Sequence, residues 1–208
     1  MQCWDMVCSV ATIVLAVVAI AISIWQTCLS NRQALFQKRL VLWVKASDLM
    51  RLLNNNESIL VEDRSFQMGI EIPFLMLLNN SWLESASDAV LDPRNADAKR
   101  VFLSKVEGIQ SMGLEAKFLF KGKRGRALSD FISSYGALLT QMYKYRRIME
   151  LMHEYGVNHR KTLDESAEAV GEPKVRKAYF NAVESALFKL HEFERLNKRH
   201  CVERSMKL

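Results

Sequence analysis

The longest apolar stretch of the chain covers residues 6–25, where three small hydroxyl residues are the only polar side chains. No charged residue occurs between Asp5 and Arg32. A helix of twenty residues measures about 30 Å, which equals the thickness of the hydrocarbon core of a bilayer. Trp4 and Trp25 flank the stretch, where indole rings favour the membrane interface. The pattern predicts a transmembrane helix over residues 6–25.

Beyond this span, apolar residues recur every three or four positions in five segments, as on one face of an amphipathic helix. The segments cover residues 35–53, 73–91, 95–119, 129–153 and 175–196. The first segment follows the span with no glycine or proline between them. We therefore expect one long helix to cross the membrane and continue beyond it.

Two segments interrupt the helical pattern. Residues 57–72 fit neither the helical nor the strand period, and we expect a short helix or a loop there. Residues 121–126, with the sequence KGKRGR, are expected to form a non-helical connection between two helices. Asn95 is the predicted N-cap of the helix that follows it, and a polar connection through Gly171 is expected to lead to the last helix.

These elements predict an all-α protein, in which an N-terminal transmembrane helix continues into an antiparallel cytoplasmic helical bundle of four to five helices. Residues 1–5 are expected to form a short extracytoplasmic end, residues 6–25 the span, residues 29–203 the bundle and residues 204–208 a frayed tail. Four basic residues follow the span closely, whereas a single acidic residue precedes it. This asymmetry predicts that the N-terminus lies outside and the C-terminal domain in the cytoplasm.

Charge is distributed unevenly along the chain, whose formal net charge is +6. Residues 48–98 carry nine acidic and three basic side chains, whereas residues 99–147 carry three acidic and eleven basic ones. The second segment supplies a candidate basic interaction patch, which consists of Lys117, Lys121, Lys123, Arg124, Arg126, Lys144, Arg146 and Arg147. Three partners fit such a patch: the acidic segment itself, anionic lipid, and nucleic acid with bases stacked on Tyr143 and Tyr145. On charge alone we favour the acidic segment, within the fold or between subunits.

Contact with lipid depends on where residues 121–126 lie, because attraction between charges is screened beyond about 8 to 10 Å. If the helices alternate in direction after a straight stalk, these residues lie at the end of the bundle far from the bilayer. A helix within residues 57–72 would reverse that order.

Sequence motifs for catalysis do not occur in the chain. The glycine-rich phosphate loop and the serine-hydrolase elbow are absent, and the four histidines lack the HExxH spacing of a zinc site. Glu150, His153 and Glu154 lie on adjacent helical positions and are the best metal candidates, although a solvated helix end explains them better. Cys28 is expected to be a plain thiol. We therefore predict no enzymatic activity, no cofactor, and no catalytic, cofactor-binding or metal-binding residues.

Several short segments follow the membrane span: ALFQKR at residues 34–39, the Phe102-Leu103 pair, AKFLF at residues 116–120, and Phe131 with Tyr135 in the next helix. Together with the span, they resemble a family of uncharacterised bacterial single-pass membrane proteins. Two places differ from the family pattern, since Leu40 replaces a tyrosine and residues 121–126 replace a shorter, more acidic turn. The resemblance implies the same fold and a bacterial source, and hence the bacterial plasma (inner) membrane, but no activity.

The functional hypothesis is a membrane-tethered, non-enzymatic helical interaction or scaffold module, which holds an unknown protein partner at the cytoplasmic face. The alternative is a membrane-perturbing effector of a phage-defence or toxin-like system, in which oligomerisation of the bundle drives the span to disturb the bilayer. A homodimer has two signals: the small residues Ala19 and Ser23 in the span, and the heptad spacing of Leu35, Leu42 and Leu49. The heptad leucines also fit the core of the bundle, which we favour.

Overall fold

The computed structural model describes residues 2–62 and 69–199, with side chains placed from residue 13 to 61 and from 69 to 198. Within these ranges the chain is helical and forms no strand, so the all-α prediction is confirmed. The helices are α1 (Gln2–Asn55), α2 (Glu57–Glu62), α3 (Glu71–Leu78), α4 (Asp88–Leu91), α5 (Ala96–Leu119), α6 (Gly122–His159), α7 (Leu163–Val170) and α8 (Glu172–Arg199). The tail expected at residues 204–208 lies outside the described residues.

Helix α1 runs without interruption from the apolar stretch into the bundle, as the lack of glycine and proline predicts. Residues 13–25 are exposed, and this helix is long and apolar enough to cross a membrane by length and composition. Further along, Leu42, Leu49 and Leu53 are buried in the core. Of the three heptad leucines, Leu42 and Leu49 therefore belong to the core of the bundle, whereas Leu35 is exposed. Beyond Asn55 the buried Asn56 amide donates to the Leu52 carbonyl at 2.7 Å.

Three long helices pack in antiparallel order, with α6 between α5 and α8. The Phe102 ring of α5 stacks on Tyr143 of α6, with ring centroids 4.9 Å apart. Tyr145 of α6 stacks on Tyr179 of α8 at 5.6 Å. The core between these helices is apolar because the predicted stripes face each other. Its buried α6 members include Phe131, Ile132, Tyr135, Leu138, Leu139 and Met142.

The start of α5 agrees with the sequence prediction. The Asn95 side chain accepts hydrogen bonds from the backbone N–H groups of Asp97 and Ala98, at 3.0 and 3.2 Å. A side-chain oxygen in this position satisfies helix N–H groups that have no intrahelical acceptor.

The continuous helix predicted over residues 73–91 is wrong. Helix α3 ends at Leu78, because the side-chain amide oxygen (Oδ1) of Asn80 accepts hydrogen bonds from the backbone N–H groups of Trp82 and Leu83, at 3.0 and 2.7 Å. Such a side-chain turn competes with helix continuation. A short 3-10 turn (Glu84–Ala86) and α4 complete the segment.

Residues 57–72 are partly helical, so the short-helix alternative is confirmed for α2, while residues 63–68 lie outside the described ranges. Helix α7 was not predicted at all. It begins with a capping box, in which Thr162 N–H donates to Glu165 at 3.1 Å and Glu165 N–H donates to the Thr162 hydroxyl at 3.4 Å. The sequence TLDE at residues 162–165 carries this signal. The helix ends at Gly171, whose φ of +73° suits glycine.

Candidate interaction surface at the α5–α6 turn

Helices α5 and α6 are joined by only two non-helical residues, Phe120 and Lys121. Gly122 has a φ of +80°, a left-handed conformation that costs glycine little. At Gly125 an added Cβ atom would lie 1.6 Å from the Phe120 carbonyl oxygen, so that only glycine fits. The two glycines of the KGKRGR sequence thus allow a tight turn.

The expected break over residues 121–126 is therefore wrong in its extent. Helix α6 begins at Gly122 and continues to His159, so it extends beyond both ends of the predicted segment of residues 129–153. Most of the KGKRGR sequence forms the first turns of α6, because each glycine costs a helix only about 1 kcal/mol and tertiary packing overrides this propensity. The basic side chains of this sequence consequently project from a helix end.

Five of the eight predicted patch residues lie together at this turn. Four of them are exposed, while Arg124 is half-buried and has a contact within the fold. The five are Lys117, Lys121, Lys123, Arg124 and Arg126. We call this set the basic turn. None of its four exposed members makes an ion pair with another side chain in the described part of the chain.

The other three predicted residues lie elsewhere. Lys144 is exposed on α6, eighteen residues beyond Arg126, which corresponds to about 27 Å along the helix. Arg146 donates to the Val90 carbonyl at 3.1 Å and pairs with Glu71 at 3.1 Å. Arg147 pairs with Glu150 at 2.8 Å. These two arginines stabilise the bundle, and the basic block does not form one surface.

Contacts between the basic and acidic segments consist of individual ion pairs and not of two facing charged surfaces. Arg146 joins α6 to Glu71 of the acidic segment, and its side chain is only 14% exposed. Arg94 of the acidic segment pairs in turn with Glu150 and Glu154 of α6. Both carboxylates of the best metal candidate are therefore engaged with arginines. Among the described residues, no group of three or more His, Cys, Asp or Glu side chains is arranged to hold a metal ion.

The basic turn contacts α1 on the side of the bundle nearest to the exposed apolar residues 13–25. Arg39 of α1 donates its Nε hydrogen to the carbonyl oxygen of Leu119, the last residue of α5, at 3.0 Å. Six residues further along α1, Lys45 lines the same groove as Gly108, which precedes Leu119 by eleven residues in α5, so α1 and α5 run in opposite directions. The placement at the far end, which simple alternation of helices would give, is wrong. Since α2 and further turns intervene between α1 and α5, the order is reversed.

A mostly apolar groove of about 640 Å³ separates α1 from α5 beside this turn. Lys45 lies on its edge, with Nζ 5.1 Å from the centroid of the Trp82 ring. At the end next to Lys38 is Phe118, whose side chain is 79% exposed. Phe118 belongs to the AKFLF segment, but the buried stripe of α5 runs through Met112 and Ala116 and leaves position 118 on the opposite face.

A second polar site, which the sequence analysis missed, joins α6 to the start of α8. The hydroxyl of Tyr145 donates to the buried Glu172 carboxylate at 2.8 Å, and Arg176 pairs with the same carboxylate at 3.4 Å. Burial, together with this hydrogen bond and the negative charge of Glu172, raises the pKa of Tyr145. A cavity of about 480 Å³ lies beside it. The polar groups satisfy each other, so the cluster acts as a structural junction.

No family model, curated protein or solved structure matches this chain. Over the described residues, the fold defines its class as an all-α helical-bundle protein, whose helix α1 is by length and composition able to span a membrane and whose basic turn contacts α1 beyond its apolar part. The resemblance to uncharacterised bacterial single-pass membrane proteins stays a prediction.

Proposed function

We propose that the protein is a membrane-tethered, non-enzymatic helical interaction module, which holds a partner protein at the cytoplasmic face of a bacterial plasma membrane. The observation that carries the proposal is the continuity of α1. One helix exposes apolar residues 13–25 and then buries Leu42, Leu49 and Leu53 in the core of the bundle. Since no flexible linker intervenes, the span holds the bundle at a set distance from the bilayer.

Two further features support this proposal. The charge asymmetry around the span favours a cytoplasmic bundle, because the basic residues Arg32, Lys38 and Arg39 follow the membrane segment. In the polar clusters, Arg94 joins the connection before α5 to Glu150 of α6, and Tyr145 of α6 donates to Glu172 of α8, which is typical of structural groups. The exposed surface beside the groove is consistent with docking of another molecule.

Chemical crosslinking in intact cells, followed by mass spectrometry of captured proteins, tests the tethering function. The full chain is compared with a variant in which residues 6–25 are replaced by an unrelated transmembrane segment of equal length, and with a variant that lacks them. We expect the replaced span to retain the same captured partner in the membrane fraction. The variant without a span is expected to leave that fraction and to lose the captured partner.

The same strains separate tethering from bilayer disruption. Dye influx or growth arrest that requires the native residues 6–25, and that the replacement segment abolishes, would contradict the tethering function and favour the effector. Recovery of the intact chain in the high-speed supernatant without detergent would contradict membrane attachment itself.

A further inference from the structure

The basic turn combines exposed positive charge with an exposed aromatic ring. Lys117, Lys121 and Lys123 are exposed and make no ion pair with the described side chains, and Phe118 lies among them with 79% of its surface exposed. Lysines beside an exposed aromatic residue are typical of surfaces that contact anionic bilayers, because the ammonium groups meet headgroups and the ring enters the interface.

The position of the turn along α1 gives its distance from the bilayer. Arg39, which contacts the end of α5, lies fourteen residues beyond Trp25, or about 21 Å along the helix. The headgroup layer occupies about 5 to 7 Å of this distance. With a helix tilt of about 20° towards the side of the turn and helix axes about 9 Å apart, a gap of about 10 Å remains.

That gap is close to the Debye length of about 8 to 10 Å, so an anionic surface attracts the lysines across it. Attraction favours a larger tilt, and at about 40°, the upper end of the range for membrane helices, the gap falls to about 4 Å. We propose that the basic turn docks on anionic headgroups of the leaflet next to the bundle and holds the bundle tilted against the membrane. This inference rests on the proposed tethering by α1.

The other partners considered for the candidate basic interaction patch, nucleic acid and the acidic segment, fit the structure less well. Stacking of nucleic-acid bases was expected on Tyr143 and Tyr145, but these rings are only 9% and 1% exposed and pack against Phe102 and Tyr179. The acidic segment pairs with Arg146, which lies far along α6 from the turn. The charge at the turn remains available, and the span keeps it beside a bilayer.

Hydrogen–deuterium exchange of the full chain in nanodiscs tests this docking. One set of nanodiscs contains phosphatidylcholine alone, and the other contains about one third phosphatidylglycerol, a proportion that gives a strongly negative surface. We expect exchange at residues 117–126 to slow at least threefold in the anionic discs. The protection should disappear at 1 M salt, where the Debye length is about 3 Å.

Two matched triple variants report whether the location of the charge matters. Replacement of Lys117, Lys121 and Lys123 by glutamine should abolish the protection in anionic discs. Replacement of three exposed lysines near the other ends of α5 and α8 by glutamine removes the same charge and should preserve it. These control lysines are Lys99, Lys174 and Lys177.

The outcomes distinguish this inference from the tethering function. Equal exchange in neutral and anionic discs, or equal loss of protection in both triple variants, overturns docking on lipid. If the chain still inserts into the discs, the tethering function is unaffected by that result. Failure of the chain to insert into discs of either composition overturns both. Slowing at residues 117–126 by an added oligonucleotide or a captured protein, without any effect of anionic lipid, overturns the lipid assignment in favour of that partner.

Discussion

Replacement of Gly125 by alanine is expected to destabilise the bundle, although the same change in most helices is stabilising. The added Cβ atom would lie 1.6 Å from the Phe120 carbonyl oxygen and 2.5 Å from the Phe120 carbonyl carbon. Both are backbone atoms, so no side chain can rotate away. The end of α5 and the start of α6 must therefore separate.

The size of the effect follows from two opposing contributions. Alanine gains at most about 1 kcal/mol over glycine in helix propensity. Forced overpacking costs about 1 to 3 kcal/mol, and a backbone overlap of this kind belongs at or above the upper end of that range. The net loss is about 2 kcal/mol. For a chain of this size, a loss of 2 kcal/mol lowers the Tm by about 4 to 8 °C.

Gly108 provides the matched control, because it lies within α5 and its added Cβ would be 3.9 Å from the nearest atom of Trp82. Gly108→Ala should raise the Tm by about 2 to 4 °C through helix propensity alone. Both variants of the full chain are compared by thermal unfolding in a mild detergent, with circular dichroism at 222 nm as the signal. An unchanged or higher Tm for Gly125→Ala would refute the tight α5–α6 turn.

Three further predictions concern the stability of the bundle. Tyr135→Phe removes the buried hydrogen bond from the hydroxyl to the Leu77 carbonyl, at 2.6 Å, and should lower the free energy of unfolding by about 1 to 3 kcal/mol; an unchanged Tm would contradict it. Asn95→Ala should cost about 1 kcal/mol and speed amide exchange in the first turn of α5, and unaltered exchange would argue against the cap. Burial raises the pKa of Tyr135 and, with the Glu172 hydrogen bond, of Tyr145, so the folded chain keeps protons that the unfolded chain releases near pH 10. The free energy of unfolding should keep the full contribution of the two protonated tyrosines below pH 10 and fall above it by about 1.4 kcal/mol per pH unit for each tyrosine. Denaturation at several pH values measures this dependence, and the fall should be shallower in Tyr135→Phe.

The long helices were predictable because their signals are local. The apolar run at residues 13–25, the stripe that includes Leu42 and Leu49, and the cap at Asn95 all depend on residues within a few turns of one another. Helix propensity and amphipathic period act over the same range, so the sequence alone indicated their type and approximate extent. The capping box of α7 was equally local, and the sequence analysis overlooked it.

The interaction surface was only partly predictable, since charge along a sequence does not say which charges meet a partner inside the fold. Lys121 and Arg146 are both basic residues of the same segment, yet the first is exposed at the turn and the second pairs with Glu71. Phe118 is a large apolar residue, yet the packing of α5 leaves its side chain exposed. These distinctions arise from contacts between helices that are distant in sequence.

The sequence by itself determined that the chain is helical, that one helix is apolar enough to span a membrane, and that basic residues cluster at residues 117–126. Only the tertiary structure decided where that cluster lies relative to the span. The physical reason is that the direction of α5 depends on every turn between α1 and α5, including the break at Asn80. The hydrogen bond from Arg39 to the Leu119 carbonyl shows that the end of α5 lies beside α1, on the side of the bundle nearest to the apolar part of that helix.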